Sequence, residues 1–173
     1  MISTLLVEYS AYVRWVLAGL LLAMLLVGVL LVRYDARRTS AALSVVAGLA
    51  GLALTAWPEP AAALDEVRCA VQLSVPFQGL DTLANIALFV PATYAAVLAC
   101  RRPVGVAVVA SGVSALIELV QALVPATGRV CDTNDWFMNT VGTALGVLLA
   151  VATLAVVRPR PPDRGRPPAV SRP

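Results

Sequence analysis

Asp81, Glu118, Asp132 and Asp135 are the residues of this sequence best suited to chemistry. Three of them are followed by an amide three or four positions on: Asn85, Gln121 and Asn139. The chain has no histidine and no lysine, so acid–base work must fall to carboxylates, water or tyrosine. Arg129 is the single cation among these acids. Four carboxylates in a half-buried setting cannot all ionise beside one arginine without compensation. Shared protons, a divalent cation such as Mg²⁺, or a cationic part of a ligand would each supply it. Asp132 and Asp135 are the oxygen donors for a metal, if one binds. If the four acids converge, Glu118 is the tuned acid/base, Asp132 and Asp135 serve as base or cation ligands, and Arg129 clamps an anion.

The elements that carry these residues are apolar. The chain of 173 residues is 60% hydrophobic and 13% charged, with a mean hydropathy of +0.84. A soluble domain would carry about twice that charge. The composition is that of an integral membrane protein. A bilayer core needs about 20 apolar residues per helix. Five runs approach or meet that length: Val13 to Val32, Ala41 to Trp57, Leu80 to Cys100, Val104 to Val124, and Trp136 to Val157. The fold class is therefore all-α, a polytopic transmembrane helical bundle of about five spans over residues 1–157. The second run is short and is the weak point of this count. The first run is too long for a signal peptide and has no small-residue cleavage site after it, so it reads as a retained anchor.

Arginines set the orientation. Arg33, Arg37 and Arg38 follow the first span, Arg101 and Arg102 the third, and Arg158, Arg160, Arg164, Arg166 and Arg172 the fifth. The loops after spans two and four carry one arginine each, among acids. The positive-inside rule then puts the N-terminus outside and the C-terminus in the cytoplasm. The tail, residues 158–173, is rich in Pro and Arg without apolar period, and is expected to be disordered near anionic lipid heads. The sequence pI of about 9.1 reflects these flanks and does not imply nucleic acid as a partner. Cys69 and Cys131 fall on the outer side, where an oxidising setting permits a disulfide; two separate thiols are the alternative.

The polar residues form stripes on the last three spans. Asp81 and Asn85 are spaced i, i+4. Ser111, Ser114, Glu118 and Gln121 fall at i, i+3, i+7 and i+10. Asp135, Asn139, Gly142 and Gly146 fall at i, i+4, i+7 and i+11. Gly142 and Gly146 make a GxxxG pair that lets another helix approach, so the last stripe should face the bundle. Bland readings compete: Asp81, Asp132 or Asn134 as helix caps, the amides as helix–helix bonds, and an ion pair at Arg129. Glu118 fits none of them, because an ionisable group inside a span costs about 2.5–3.5 kcal/mol on insertion scales.

The runs "LDTLANIALFVP", "ELVQ" and "GRVCDTNDWFMNTVGTALG" resemble the VanZ-like family of bacterial membrane proteins. The resemblance covers about residues 75 to 150. It rests on Asp81, Asn85, Phe89, Pro91, Glu118, Gln121, Arg129, Asp132, Asp135, Asn139, Gly142 and Gly146, in the family's order and spacing. Thr93 stands where the family often has Gly, which bears on the close contact expected beside Pro91. The family is named for a protein that raises resistance to the glycopeptide antibiotic teicoplanin. The resemblance implies a cell-envelope role with the acids and amides as site residues and Pro91, Gly142 and Gly146 as structural ones.

Two functions stay open. In one, an acidic pocket in the outer half of the membrane binds a lipid-linked or lipid-like ligand, such as a cell-wall precursor or a lipoglycopeptide, through Asp81, Asn85, Gln121, Arg129 and Asn139. In the other, the chain is an intramembrane hydrolase or transferase acting on a lipid head group through Glu118, Asp132 and Asp135. Membrane lipids are partners in both, and whether the chain is an enzyme is left open. Transport is disfavoured, because no acid lies in the inner half of any span and no inverted repeat is evident.

Overall fold

The computed structural model describes residues 10–56, 69–124 and 131–157. Arg129 and the tail beyond residue 157 lie outside the described residues. Five helices and two short strands follow in order: α1 (Ser10–Arg33), α2 (Arg37–Ala56), β1 (Cys69–Ala70), α3 (Leu80–Cys100), α4 (Pro103–Leu123), β2 (Cys131–Asp132) and α5 (Thr133–Val156). All five helices are long and apolar enough to cross a membrane. The protein is a multi-pass transmembrane helical bundle. The second span begins at Arg37, four residues before the apolar run itself, and so reaches 20 residues. Arg37 and Arg38 thus form its first turn, where a hydropathy reading counts them as loop.

Local chemistry sets the helix ends. α3 stops at Arg101, which adopts a left-handed conformation (φ 58°) and returns its N–H to the Val97 carbonyl. α4 restarts two residues later with Pro103 in its first turn, where a missing N–H costs nothing. The turn between α1 and α2 lies beside this corner. Its Asp35 accepts from Arg37 at 3.1 Å and pairs with Arg101 at 3.5 Å. At the opposite end, β1 and β2 pair in parallel, with Cys69 opposite Cys131 and Ala70 opposite Asp132. Cys69 and Cys131 are joined by a disulfide, so of the two alternatives the bonded one holds. The remaining cysteine, Cys100, is an exposed free thiol at the far end of α3.

α3 is the central helix, packed between α2 and α5, and α4 leans on α5. The seam between α3 and α5 is set by two glycines. A Cβ on Gly142 would run into the backbone of Ile86, and one on Gly146 would meet Val90, Thr93 and Tyr94. Below that seam a core of Val32, Tyr94, Val97, Leu98 and Ala150 joins α1 to α3 and α5. The Tyr94 hydroxyl is satisfied by Thr153 at 3.1 Å. Large apolar side chains such as Trp15, Leu20 and Leu26 on α1, and Val108 and Leu116 on α4, face outward, as expected of surfaces bathed in lipid.

Candidate functional site

The polar stripes of α3, α4 and α5 meet near the disulfide end of the bundle. On α4, Glu118 is buried, with 8% of its surface exposed. One of its carboxylate oxygens, Oε2, accepts the backbone N–H of Asp132 at 2.8 Å. Asp132 is the N-cap of α5: its Oδ1 accepts the N–H of Asn134 at 2.8 Å. Its other oxygen accepts from the Gln72 side chain at 2.7 Å. Glu118 and Asp132 are therefore linked through one peptide group, and the cap and the buried acid are fixed together.

The second connection joins α3 to α5. Asn85 donates its amide to Asp135 Oδ1 at 2.6 Å. One turn deeper, Asn139 donates to Ser114 Oγ on α4 at 2.9 Å. Ser111 and Thr140 make a further hydroxyl pair between α4 and α5 at 3.0 Å. The α4 stripe thus faces α5 over Ser111, Ser114 and Glu118. Gln121, its last member, turns the other way and donates to the Thr55 carbonyl of α2 at 3.3 Å. The amides make cross-helix bonds of the kind expected of polar groups in spans. Among the described residues, the buried oxygens Asn139 Oδ1 and Thr143 Oγ1 have no hydrogen-bond partner, and both residues are only 2% exposed. They lie one turn apart on the inward face of α5.

Asp81 behaves differently from the other three acids. It is exposed in the first turn of α3 and does not cap the helix. Thr82 does that work: its Oγ1 accepts from Gly79 N at 3.1 Å and donates to the Gly79 carbonyl at 2.8 Å. Asp81 sits one residue too early to return to the cap peptide. Among the described residues, no three carboxylates or thiols stand together in a set that could hold a metal ion. Arg129, the expected anion clamp, falls outside the described residues.

Several participants carry no sequence signal. Gln72 and Ser74 sit in an extended segment after β1. Ser74 donates both its N–H and its hydroxyl to Asn134 Oδ1, at 2.9 and 2.6 Å. Thr133 Oγ1 accepts from Gln72 N at 3.0 Å. This segment has no helical or strand period, and only the shared outer-side placement of Cys69 and Cys131 hinted that it meets the start of α5. Pro91 lies inside α3 and removes one backbone donor there. Thr93 is buried, and its hydroxyl turns back to the Phe89 carbonyl at 2.8 Å. Its bulk is accommodated by Gly146 on the facing helix. The close contact expected beside Pro91 is therefore kept, with the glycine on the partner helix.

The VanZ/LLP1 family profile matches residues 15–156. The chain belongs to the VanZ/LLP1 family. No curated protein and no solved structure matches it. The family match takes in α1 and α2 as well as the segment that bears the acids and amides. For a VanZ/LLP1 protein this places the first two helices within the matched region, from residue 15 onward. In this VanZ/LLP1 chain their contribution to the site region is a backbone one: the Thr55 carbonyl of α2 holds Gln121.

Proposed function

We propose that this protein binds a lipid-linked or lipid-like ligand of the bacterial cell envelope at the disulfide end of its helices. The observation that carries the reading is Glu118: an ionisable group inside a span, buried, turned toward α5 and held to the Asp132 peptide rather than facing lipid. Asp135, Asn85 and Asn139 lie on the helices around it, and the spare acceptors of Asn139 and Thr143 add hydrogen-bonding capacity. Arg129, four residues before Thr133, is the anion-holding group in this reading. Asp81, exposed at the start of α3, would meet the ligand from the aqueous side.

The arginine distribution supports an orientation with the disulfide end outside the cytoplasm and the Arg101 corner within it. The Cys69–Cys131 bond supports the same orientation, because such bonds persist on exported faces. Cell-wall precursors and lipoglycopeptides meet the membrane on that side, so a contribution to teicoplanin resistance follows naturally.

The test is native mass spectrometry of the purified protein with a lipid-linked cell-wall precursor and, separately, with teicoplanin. A retained precursor or lipoglycopeptide that is lost in Glu118→Gln and Asp135→Asn supports the reading. Retention of bulk phospholipid alone, with neither ligand, sinks it.

A further inference from the structure

A second feature lies on the other side of α3 and has one mouth at the opposite end of the bundle. α2 and α4 both flank α3 without closing on each other, and a cavity of about 650 Å³ runs between them. Its walls follow helical rows. On α2 the row is Ser44, Gly48, Gly51 and Thr55; on α3 it is Leu88, Ala92 and Ala96. Val106, Ala110, Val113 and Ile117 form the α4 wall. Exposed Val45 and Leu49 on one rim and Val109 on the other leave the groove open sideways.

The lining is chemically bare. Three hydroxyls face the groove region, and each is already bound to a backbone carbonyl. Ser44 donates to Ala92 O at 2.9 Å, Thr55 to Leu52 O at 3.0 Å, and Thr93 to Phe89 O at 2.8 Å. Nothing along the walls is left to recognise a polar ligand. The exception is one mouth, where Arg102, Gly105 and Cys100 line the cavity. Arg102 is exposed and is the N-cap residue of α4. That helix start has no side-chain cap. Its first N–H groups and positive dipole end therefore sit beside a guanidinium, a combination that favours a phosphate.

We propose that this groove holds one acyl chain of an anionic phospholipid, with the phosphate at Arg102 and the α4 N-terminus. The chemistry of the lining supports a lipid: the walls are apolar, and the one charged side chain among the described lining residues, Arg102, stands at a mouth. Between Arg102 and Ile117 on α4 the groove runs about 22 Å at helical rise. Gly48 lines the groove and has open space around it: an added Cβ would meet nothing within 4 Å. Its phosphate mouth at Arg102 lies at the other end of the bundle from Glu118, although the groove reaches Thr55, whose carbonyl holds Gln121; lipid retention is read separately from ligand binding at the acids.

Native mass spectrometry of detergent-purified protein, titrated with phosphatidylglycerol and with phosphatidylcholine of the same chain lengths, tests it. One phosphatidylglycerol is expected to be retained roughly five-fold better than phosphatidylcholine, the preference one arginine gives at a lipid surface. Arg102→Gln should erase the preference while still allowing both lipids to bind. Gly48→Leu, whose Cβ meets nothing within 4 Å and whose side chain adds bulk to the groove wall, should remove retention of both. Inorganic phosphate in place of lipid should not bind. Equal retention of the two lipids, unchanged by Arg102→Gln, overturns the proposal; so does undiminished retention in Gly48→Leu. If Gly48→Leu does not fold, Ala96→Leu repeats that arm, and the wild-type lipid preference is decisive by itself. Copper-catalysed oxidation supplies a last check: a dimer through Cys100 that excludes phosphatidylglycerol would show a second copy covering the groove mouth and overturn the lipid assignment.

Discussion

The two sides of α3 were built for opposite purposes. Toward α5 the helix meets glycines, and backbones approach until no side chain fits between them. On the side of α2 and α4 the residues facing it are also small, Gly48, Gly51 and Ala110, yet there they line a cavity of about 650 Å³. Small residues alone do not decide which outcome follows. The difference lies in what crosses the seam. Polar side chains pin α5 to its neighbours at several depths: Asn85 to Asp135, Asn139 to Ser114, and Ser111 to Thr140. α2 and α4 share one such bond, Gln121 to the Thr55 carbonyl, at one end only. Without a hydrophobic driving force between helices in lipid, packing and hydrogen bonds must hold a seam. Where they are absent, a gap open to lipid remains.

The largest effect should come from forcing the tight side apart. Gly142→Leu drives a branched side chain into the Ile86 backbone, which cannot yield as a side chain would. The cost is expected to be about 3 kcal/mol or more. Loss of the monodisperse peak in detergent gel filtration, or a large drop in melting temperature, is the readout. A Gly142→Leu protein as stable as wild type would mean that the α3–α5 seam is looser than its geometry implies.

The disulfide comes next. It ties residues 62 positions apart and holds the segment after β1 against the start of α5. Cys69→Ser with Cys131→Ser should cost roughly 2–4 kcal/mol. The double variant should also free Gln72 and Ser74 from Asp132 and Asn134. Hydrogen exchange at the α5 N-terminus would then rise while exchange at the Arg101 corner stays fixed.

Glu118 separates site from scaffold. Glu118→Gln keeps an oxygen for the Asp132 N–H and should leave stability almost unchanged. Glu118→Leu leaves that buried donor without its acceptor, at about 1–3 kcal/mol. If both variants melt like wild type, the Glu118–Asp132 link contributes nothing to the fold. Ser114→Ala removes the acceptor of the Asn139 amide and should cost about 0.6 kcal/mol, the usual size of such bonds between membrane helices.

Much of this arrangement was legible in the sequence because lipid imposes a strong pattern. Runs of apolar residues placed all five helices within a few positions, and the phase of Asp135 and Asn139 with Gly142 and Gly146 gave the inward face of α5. The second span was less clear because its first turn is Arg37 and Arg38, which hydropathy counts as loop. Other features had no pattern to read. A two-residue parallel bridge at Cys69 and Cys131 has no period, and the roles of Gln72, Ser74 and Thr82 depend on which backbone groups reach them. Capping was one of the competing readings for Asp81, but it depends on a one-residue register that Thr82 satisfies. The groove is a property of what α2 and α4 fail to touch, and no residue announces it.

The smallest effect is the sharpest test of the contrast. Gly48→Ala and Gly142→Ala add the same methyl group to glycines in the middle of spans. At Gly142 the methyl meets the Ile86 carbonyl; at Gly48 it meets nothing within 4 Å. Helix propensity favours alanine over glycine by about 1 kcal/mol at most. Gly48→Ala should therefore be neutral or slightly stabilising, and Gly142→Ala destabilising, so the two melting temperatures should move in opposite directions. A destabilised Gly48→Ala would mean that α2 and α4 close over α3 in the membrane. The two sides of α3 would then be alike, and the gap between α2 and α4 would close with them.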